Sequence, residues 1–254
     1  MSAKRIFCRF CGAAGAHRFG KDRCKRQRYK CPHCAKIFTR RTNTVKSCSH
    51  LSDREWQRAE ESFCIRAGMS GADLSRTLHL NEKSGQRMNR IFRSLVGPLA
   101  PHMLPGDSEW DESVPVRSQW VAGGVSRSHG CCFLQEIADR CEKTLTPFVE
   151  HHRDPECLVF TDEHGGYCGL LNRWTVCHSR EFVNSMARFV HTNAIEGVWG
   201  QLKPLGWHIY RGFPRSHLPQ YLSEFMFRYN LRSYDTRLAV LSALVTRKTN
   251  SFLV

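Results

Sequence analysis

The spacing of hydrophobic and polar positions changes three times along the chain. Up to about residue 50, Phe7, Phe10, Phe19, Tyr29, Ile37 and Phe38 are interleaved with Lys and Arg, which predicts a small folded module and not a disordered arm. From 51 to 100 the spacing is helical. Ser52 followed by Glu55 is a capping box that opens a helix running to residue 65 and ending at Gly68. A short helix is predicted over 71–78, a turn over 79–81 and a longer helix over 82–95. This arrangement looks like a helix-turn-helix, whose second helix ordinarily lies in the DNA major groove, and a plain three-helix spacer fits it equally. Pro98, Pro101 and Pro105, with Gly97 and Gly106, cannot continue a helix and mark a linker before a third part, 107–254.

In that third part short apolar runs alternate with helical patterns. Strands are predicted over 109–112, 120–125 and 131–136, then a helix over 141–151. A buried strand over 157–160, a short helix, a strand over 174–177, and helices over 194–203 and 217–232 follow. Strands that are first paired and then mixed with helices indicate an α/β core around a central sheet. The longest apolar stretches, such as 238–245, fall far short of the roughly 20 residues of a membrane-spanning helix. The expectation is a soluble protein with no membrane partner.

Charge narrows the partner. The chain carries a formal +15, and residues 1–50 hold 14 Lys and Arg against the single acid Asp22. Such a balance suits closely spaced phosphates better than small metabolites, and nucleic acid is the expected partner. Thirteen cysteines are an odd number in a large chain with no apolar segment after Met1, so the expected compartment is intracellular and reducing.

Four of those cysteines have a regular spacing. Cys8-x2-Cys11 and Cys31-x2-Cys34 are two paired-thiolate knuckles, each able to form one edge of a tetrahedral zinc site. One structural zinc ion would supply folding energy that about forty residues cannot draw from a core alone. His17, Cys24, His33 and Cys48 are less regularly spaced substitutes. Lys25, Arg26, Arg28 and Lys30 fall between the knuckles, on the expected hairpin, and Arg40 and Arg41 extend this DNA-binding patch.

Three acids stand at borders of predicted elements: Asp111 in Glu-Trp-Asp-Glu-Ser, Asp162 directly after an apolar run, and Glu196 in His-Thr-Asn-Ala-Ile-Glu-Gly. Acids at strand ends of an open sheet can converge, and clustered oxygen ligands hold hard divalent ions such as magnesium or manganese. Two such ions about 4 Å apart serve in-line displacement at phosphorus. Lys203 lies seven positions after Glu196, two helical turns along nearly the same face, where it would grip the DNA backbone. Asp107, Glu109, Glu112 and Glu163 are the neighbouring acids, and Asn193 competes with Glu196 as a ligand. Trp199 and Trp207 are candidates for base stacking or, more ordinarily, for core.

Taken together, these strings resemble the DDE transposases of the Merlin type and their bacterial insertion-sequence relatives (ISXO-like). The resemblance is carried by residues 8–12 and 28–39 of the head, Trp-Asp-Glu-Ser (110–113), Phe-Thr-Asp-Glu-His-Gly-Gly-Tyr (160–167), residues 191–203, and residues 222–232. It implies an RNase H-like mixed sheet flanked by helices, preceded by a zinc ribbon (1–50) and a helix-turn-helix-like segment (51–100), with the catalytic domain at 107–254. It implies Asp111, Asp162 and Glu196 as the metal-binding positions. The activity implied is cutting double-stranded DNA at the ends of a mobile element and joining those ends to target DNA, with a homo-oligomer acting on DNA in a bacterial cytoplasm or nucleoid or in a eukaryotic nucleus. His178 and the Arg228-Tyr229-Asn230 segment match family positions in supporting roles. The chain departs from the pattern after Glu112, where Ser-Val-Pro-Val-Arg-Ser precedes Gln119 and a shortened first hairpin is expected. Two alternatives remain: a non-catalytic zinc-ribbon regulator, and a nuclease or resolvase on the same fold.

Overall fold

The computed structural model describes residues 5–65, 67–115, 119–176 and 189–247. The chain forms two compact units. One comprises Met1–Glu60 with Leu238–Val254, and the other Glu61–Arg237.

In the smaller unit, β1 (His17–Lys21), β2 (Gln27–Lys30) and β3 (Ile37–Thr39) form an antiparallel sheet in sequence order. Asp22 turns the first hairpin because its Oδ1 accepts the backbone N–H groups of Cys24 and Arg26, both at 2.8 Å, while Lys25 adopts a positive φ of 59°. Only Tyr29 and Phe38 of the interleaved aromatics are buried, with ring centroids 5.7 Å apart, and they pack with Cys8, Ala16 and Cys31. Helix α1 (Asp53–Phe63) opens as the capping box requires: Ser52 Oγ accepts the N–H of Glu55, and the Glu55 carboxylate accepts the N–H of Ser52.

The larger unit begins with α2 (Gly71–Leu78) and α3 (Glu82–Val96), packed against each other. Ser70 and Asn81 cap their N-termini through side-chain oxygens. Next come β4 (Ser108–Ser113), β5 (Val121–Ser126), β6 (Cys132–Glu136), α4 (Glu142–His152), β7 (Val159–Asp162), β8 (Arg173–Val176), α5 (Asn193–Pro204) and α6 (Leu218–Asn230). Helix α7 (Tyr234–Thr246) follows, and from Leu238 onward it belongs to the smaller unit. The five strands form one mixed sheet in the order β6-β5-β4-β7-β8. The first three are antiparallel neighbours, and β7 and β8 are added in parallel. This is the RNase H-like mixed sheet flanked by helices that the sequence implied.

The core lies on both faces of this sheet. On one, Trp110 meets Phe148 of α4 edge-on at 5.8 Å. On the other, Ile195, Val198, Trp199 and Leu202 of α5 are buried. Gly124 of β5 is required here, since a Cβ would stand 2.6 Å from the Trp110 ring. The far end of α6 is pinned to the edge strand by Asn230, whose amide exchanges bonds of 2.8 and 2.9 Å with the backbone of Cys132. Strands β4 and β5 pair over all six positions, and residues 116–118 of the departing stretch lie outside the described residues.

Candidate active site and metal centre

Register brings two of the expected acids together. Glu109 of β4 lies opposite Phe160 of β7 in parallel pairing, so the same register sets Asp111 and Asp162, each two residues further on, side by side where β7 ends. Strand β7 starts later than the apolar run suggests, because Cys157 and Leu158 belong to the turn before it: their N–H groups are bonded to Asp154 O and to Asp107 Oδ1. Asp162 is therefore the last residue of the strand. Its Oδ1 accepts the His164 N–H at 3.0 Å. Arg173 donates to its backbone carbonyl at 2.7 Å.

The Asp111 carboxyl is pushed up to about 7, chiefly by burial and then by the negative charges of Glu112 and Asp162. The indole N–H of Trp199, donated to Asp111 Oδ2 at 2.8 Å, works in the opposite direction. Trp199 is thus both core and a polar support for Asp111. Glu196 lies one helical turn earlier on α5, exposed, its Oε1 accepting the Thr192 hydroxyl at 3.1 Å. The three carboxylates are not gathered as tightly as the thiols: among the described residues, the only group of three or more ligand atoms within reach of a single ion is the cysteine set. A near-neutral buried carboxyl repelled by two other carboxylates nevertheless suits a divalent cation, whose charge would offset that repulsion.

Of the neighbouring acids, Glu112 and Asp107 are engaged elsewhere. Glu112 points to the opposite face of β4, accepting from the Tyr167 hydroxyl at 2.6 Å and Arg140 at 3.2 Å. Asp107 binds the Leu158 N–H, while Glu163 and Asn193 are exposed.

Glu109 has a role that its sequence context does not announce. It is fully buried, and its Oε2 accepts the N–H groups of Ala194 and Ile195 at 2.7 and 3.2 Å, in the first turn of α5. Its other oxygen meets Arg127 at 2.9 Å and His191 at 3.1 Å. Arg127 also donates to the carbonyls of Phe189 and His191 and lies over the Phe160 ring. One carboxylate therefore fastens the helix bearing Glu196 to the strand bearing Asp111.

In the head, the Sγ atoms of Cys8, Cys11, Cys31 and Cys34 lie within 4.8 Å of one another, with Cys8–Cys34 and Cys11–Cys31 at 3.6 Å. Tetrahedral zinc with bonds of about 2.3 Å needs sulfurs about 3.8 Å apart, so the set fits. Phe10 N–H donates to Cys8 Sγ and Cys34 N–H to Cys31 Sγ. Desolvation raises the Cys8 thiol, but the backbone donors of Cys11 and Phe10 outweigh it and bring it down to about 6.

Of the expected DNA-binding side chains, Lys25, Arg40 and Lys203 are exposed and Arg26, Arg28 and Lys30 partly so. Arg28 and Lys30 lie over the exposed ring of Phe19. Arg41 is a correction: it is 7% exposed, and its guanidinium is spent on Asp53 at 2.7 Å and the carbonyl of Leu51 at 2.6 Å, so it braces the head and does not extend the patch. Arg228 is likewise buried, bonded to Glu224 and to the carbonyls of Phe63 and Ile65. Trp207 is exposed. His178 and Cys177 lie outside the described residues.

The mixed sheet thus carries Asp111 and Asp162 on neighbouring strands, in a chain that also carries a four-thiol cluster. Residues 115–230 match the family model of the ISXO2-like transposase domain. The matched span includes Asp162 and Glu196 and begins after Asp111. No curated protein matches the chain. Among the described residues, no helix is long and apolar enough to cross a membrane.

Proposed function

We propose that the chain is a DNA transposase that cuts double-stranded DNA at the ends of its mobile element and joins those ends to a target. The match of residues 115–230 to a transposase domain carries this reading. The adjoining positions of Asp111 and Asp162 support it in detail. The functional division is a zinc-ribbon head at 1–50, a helical segment at 51–100 and a catalytic domain at 107–254.

Asp111, Asp162 and Glu196 hold two magnesium or manganese ions in this reading. When bound, those ions supply charge stabilisation for the attacking and departing oxygens. The chain's own part is positioning: Trp199 orients Asp111, Glu109 holds α5 in place, and Lys203 binds the DNA backbone. Water attacks the phosphodiester at the element end, and the bond to the 3′-oxygen breaks. The freed 3′-hydroxyl then attacks a target phosphodiester and displaces the target's own 3′-oxygen. Phosphoryl transfer asks little covalent work of the protein and much charge stabilisation, so no nucleophilic side chain is needed. One structural zinc held by Cys8, Cys11, Cys31 and Cys34 maintains the head, and Lys25, Arg26, Arg28, Lys30 and Arg40 meet DNA phosphates. The protein acts as a homo-oligomer on DNA.

A strand-transfer assay with labelled duplexes from the flanks of its gene tests this. A transposase gives cut and joined products, a nuclease only cuts, and a non-catalytic regulator neither.

A further inference from the structure

Within the larger unit, a cleft of about 660 Å³ opens between the helical pair α2–α3 and the segment that follows α5. Four guanidinium groups line it: Arg76 of α2, Arg90 and Arg93 of α3, and Arg211, beyond the π-helical turn Leu205–Ile209; that of Arg93 is taken up by Glu224, which leaves three from three separate elements. Arg211 is held at a φ of +54°, a backbone conformation costly for a non-glycine residue. His208 adds an imidazole. Asp73 is the one carboxylate lining the cleft, and it pairs with Arg76 at 2.6 Å. Among the described residues Arg90 and Arg211 have no carboxylate partner. The cleft is therefore cationic.

A second, independent feature lies at the same place. Asn89 of α3 is 1% exposed, and its amide nitrogen donates to Met69 O at 2.8 Å, yet its Oδ1 has no partner. Gln220 of α6 also leaves a buried Oε1 without a donor. Both residues line the cleft. A buried acceptor left unmatched is costly, and it signals a donor that arrives with a ligand. Cations for an anion and acceptors for N–H groups together describe a nucleotide: phosphate oxygens only accept, while base edges carry amino and imino donors.

We propose that this cleft is a second nucleic-acid site, separate from the basic head, through which a DNA strand passes with its phosphodiesters on Arg76, Arg90 and Arg211 and a base edge turned toward Asn89 and Gln220. A strand fits better than a free nucleotide because the cations come from separate elements along an open cleft, as backbone tracking requires. The proposal rests on the reading of the protein as DNA-binding.

The test is equilibrium binding of the full chain to a fluorescent oligonucleotide across a salt series, for wild type, the double variant Arg90→Gln/Arg211→Gln, and Arg90→Lys/Arg211→Lys. Both arginines are exposed, so folding is expected to survive, and a thermal melt checks it. The Gln pair should bind roughly tenfold more weakly, with a slope of log Kd against log salt shallower by about two, one condensed counterion per lost contact. The Lys pair should restore the slope. Wild-type affinity and slope in the Gln pair would overturn the cleft proposal alone. Failure of the wild type to bind any oligonucleotide would overturn the DNA-binding reading and the cleft with it.

Discussion

The carboxylate of Glu109 accepts the backbone N–H of Ala194 at 2.7 Å, so a single buried side chain ties the central strand β4 to the first turn of α5. The same carboxylate pairs with Arg127, whose side chain is largely buried. Removing one partner of such a pair strands the other, at a cost of about 3–5 kcal/mol. Glu109→Ala should lose stability of this order in urea unfolding. Glu109→Gln, which keeps an acceptor for the helix N–H groups but gives up the charge, should lose less. A loss under about 1 kcal/mol in the Ala variant would show that Glu109 does not hold α5.

Asp111 predicts a pH dependence with a definite sign. Its folded-state value of about 7 lies above the ordinary 3.8. Below about pH 4 the group is neutral in both states and costs nothing. Between about pH 4 and 7 the unfolded chain ionises while the folded chain keeps its proton, so stability falls across that window and levels off above it. In buffer free of added divalent ions, Asp111→Asn should therefore melt higher than wild type at pH 8, with the difference vanishing near pH 4. Adding magnesium or manganese should raise the wild-type melting temperature and leave the variant nearly unchanged. Parallel pH profiles for the two proteins would contradict the burial and repulsion assigned to Asp111.

The head should depend on metal. One zinc ion per chain is expected by elemental analysis, and Cys31→Ser should abolish it, since Cys31 is fully buried within the cluster. Zinc binding contributes roughly 10 kcal/mol or more to folding of small thiolate modules. Limited proteolysis of that variant should cut residues 5–50 rapidly and leave the Glu61–Arg237 unit resistant. A Cys31→Ser head as resistant as wild type would rule out a structural metal.

The sequence pattern made the strand and helix order of the core legible, because period and punctuation are local: the predicted helix over 71–78 matches α2, and most other boundaries shift by one or two residues. The thiol cluster was equally legible, since CxxC spacing encodes its own geometry. What escaped depends on tertiary pairing. Helix α7 shows in the sequence only as an apolar run, because its hydrophobic residues do not form a stripe on one face. Glu109 looked like an ordinary strand-end acid, and nothing in its neighbours' spacing signals the distant backbone N–H groups and the arginine that surround it. Composition places Arg41 in the basic patch, whereas Asp53 and two loop carbonyls draw it inward. Trp199 as a donor to Asp111 was legible only in part: its helical spacing places it near Glu196, but the reach to β4 requires the packed sheet.

The most direct measurement compares wild type with Asp162→Asn for magnesium-dependent cleavage of a labelled element-end duplex, with binding followed by gel shift on the same DNA. The account predicts that the variant binds with near wild-type affinity and yields no cut strand. Cleavage by the variant at a rate close to wild type would contradict the assignment of Asp162, and with it the proposed carboxylate centre of Asp111, Asp162 and Glu196.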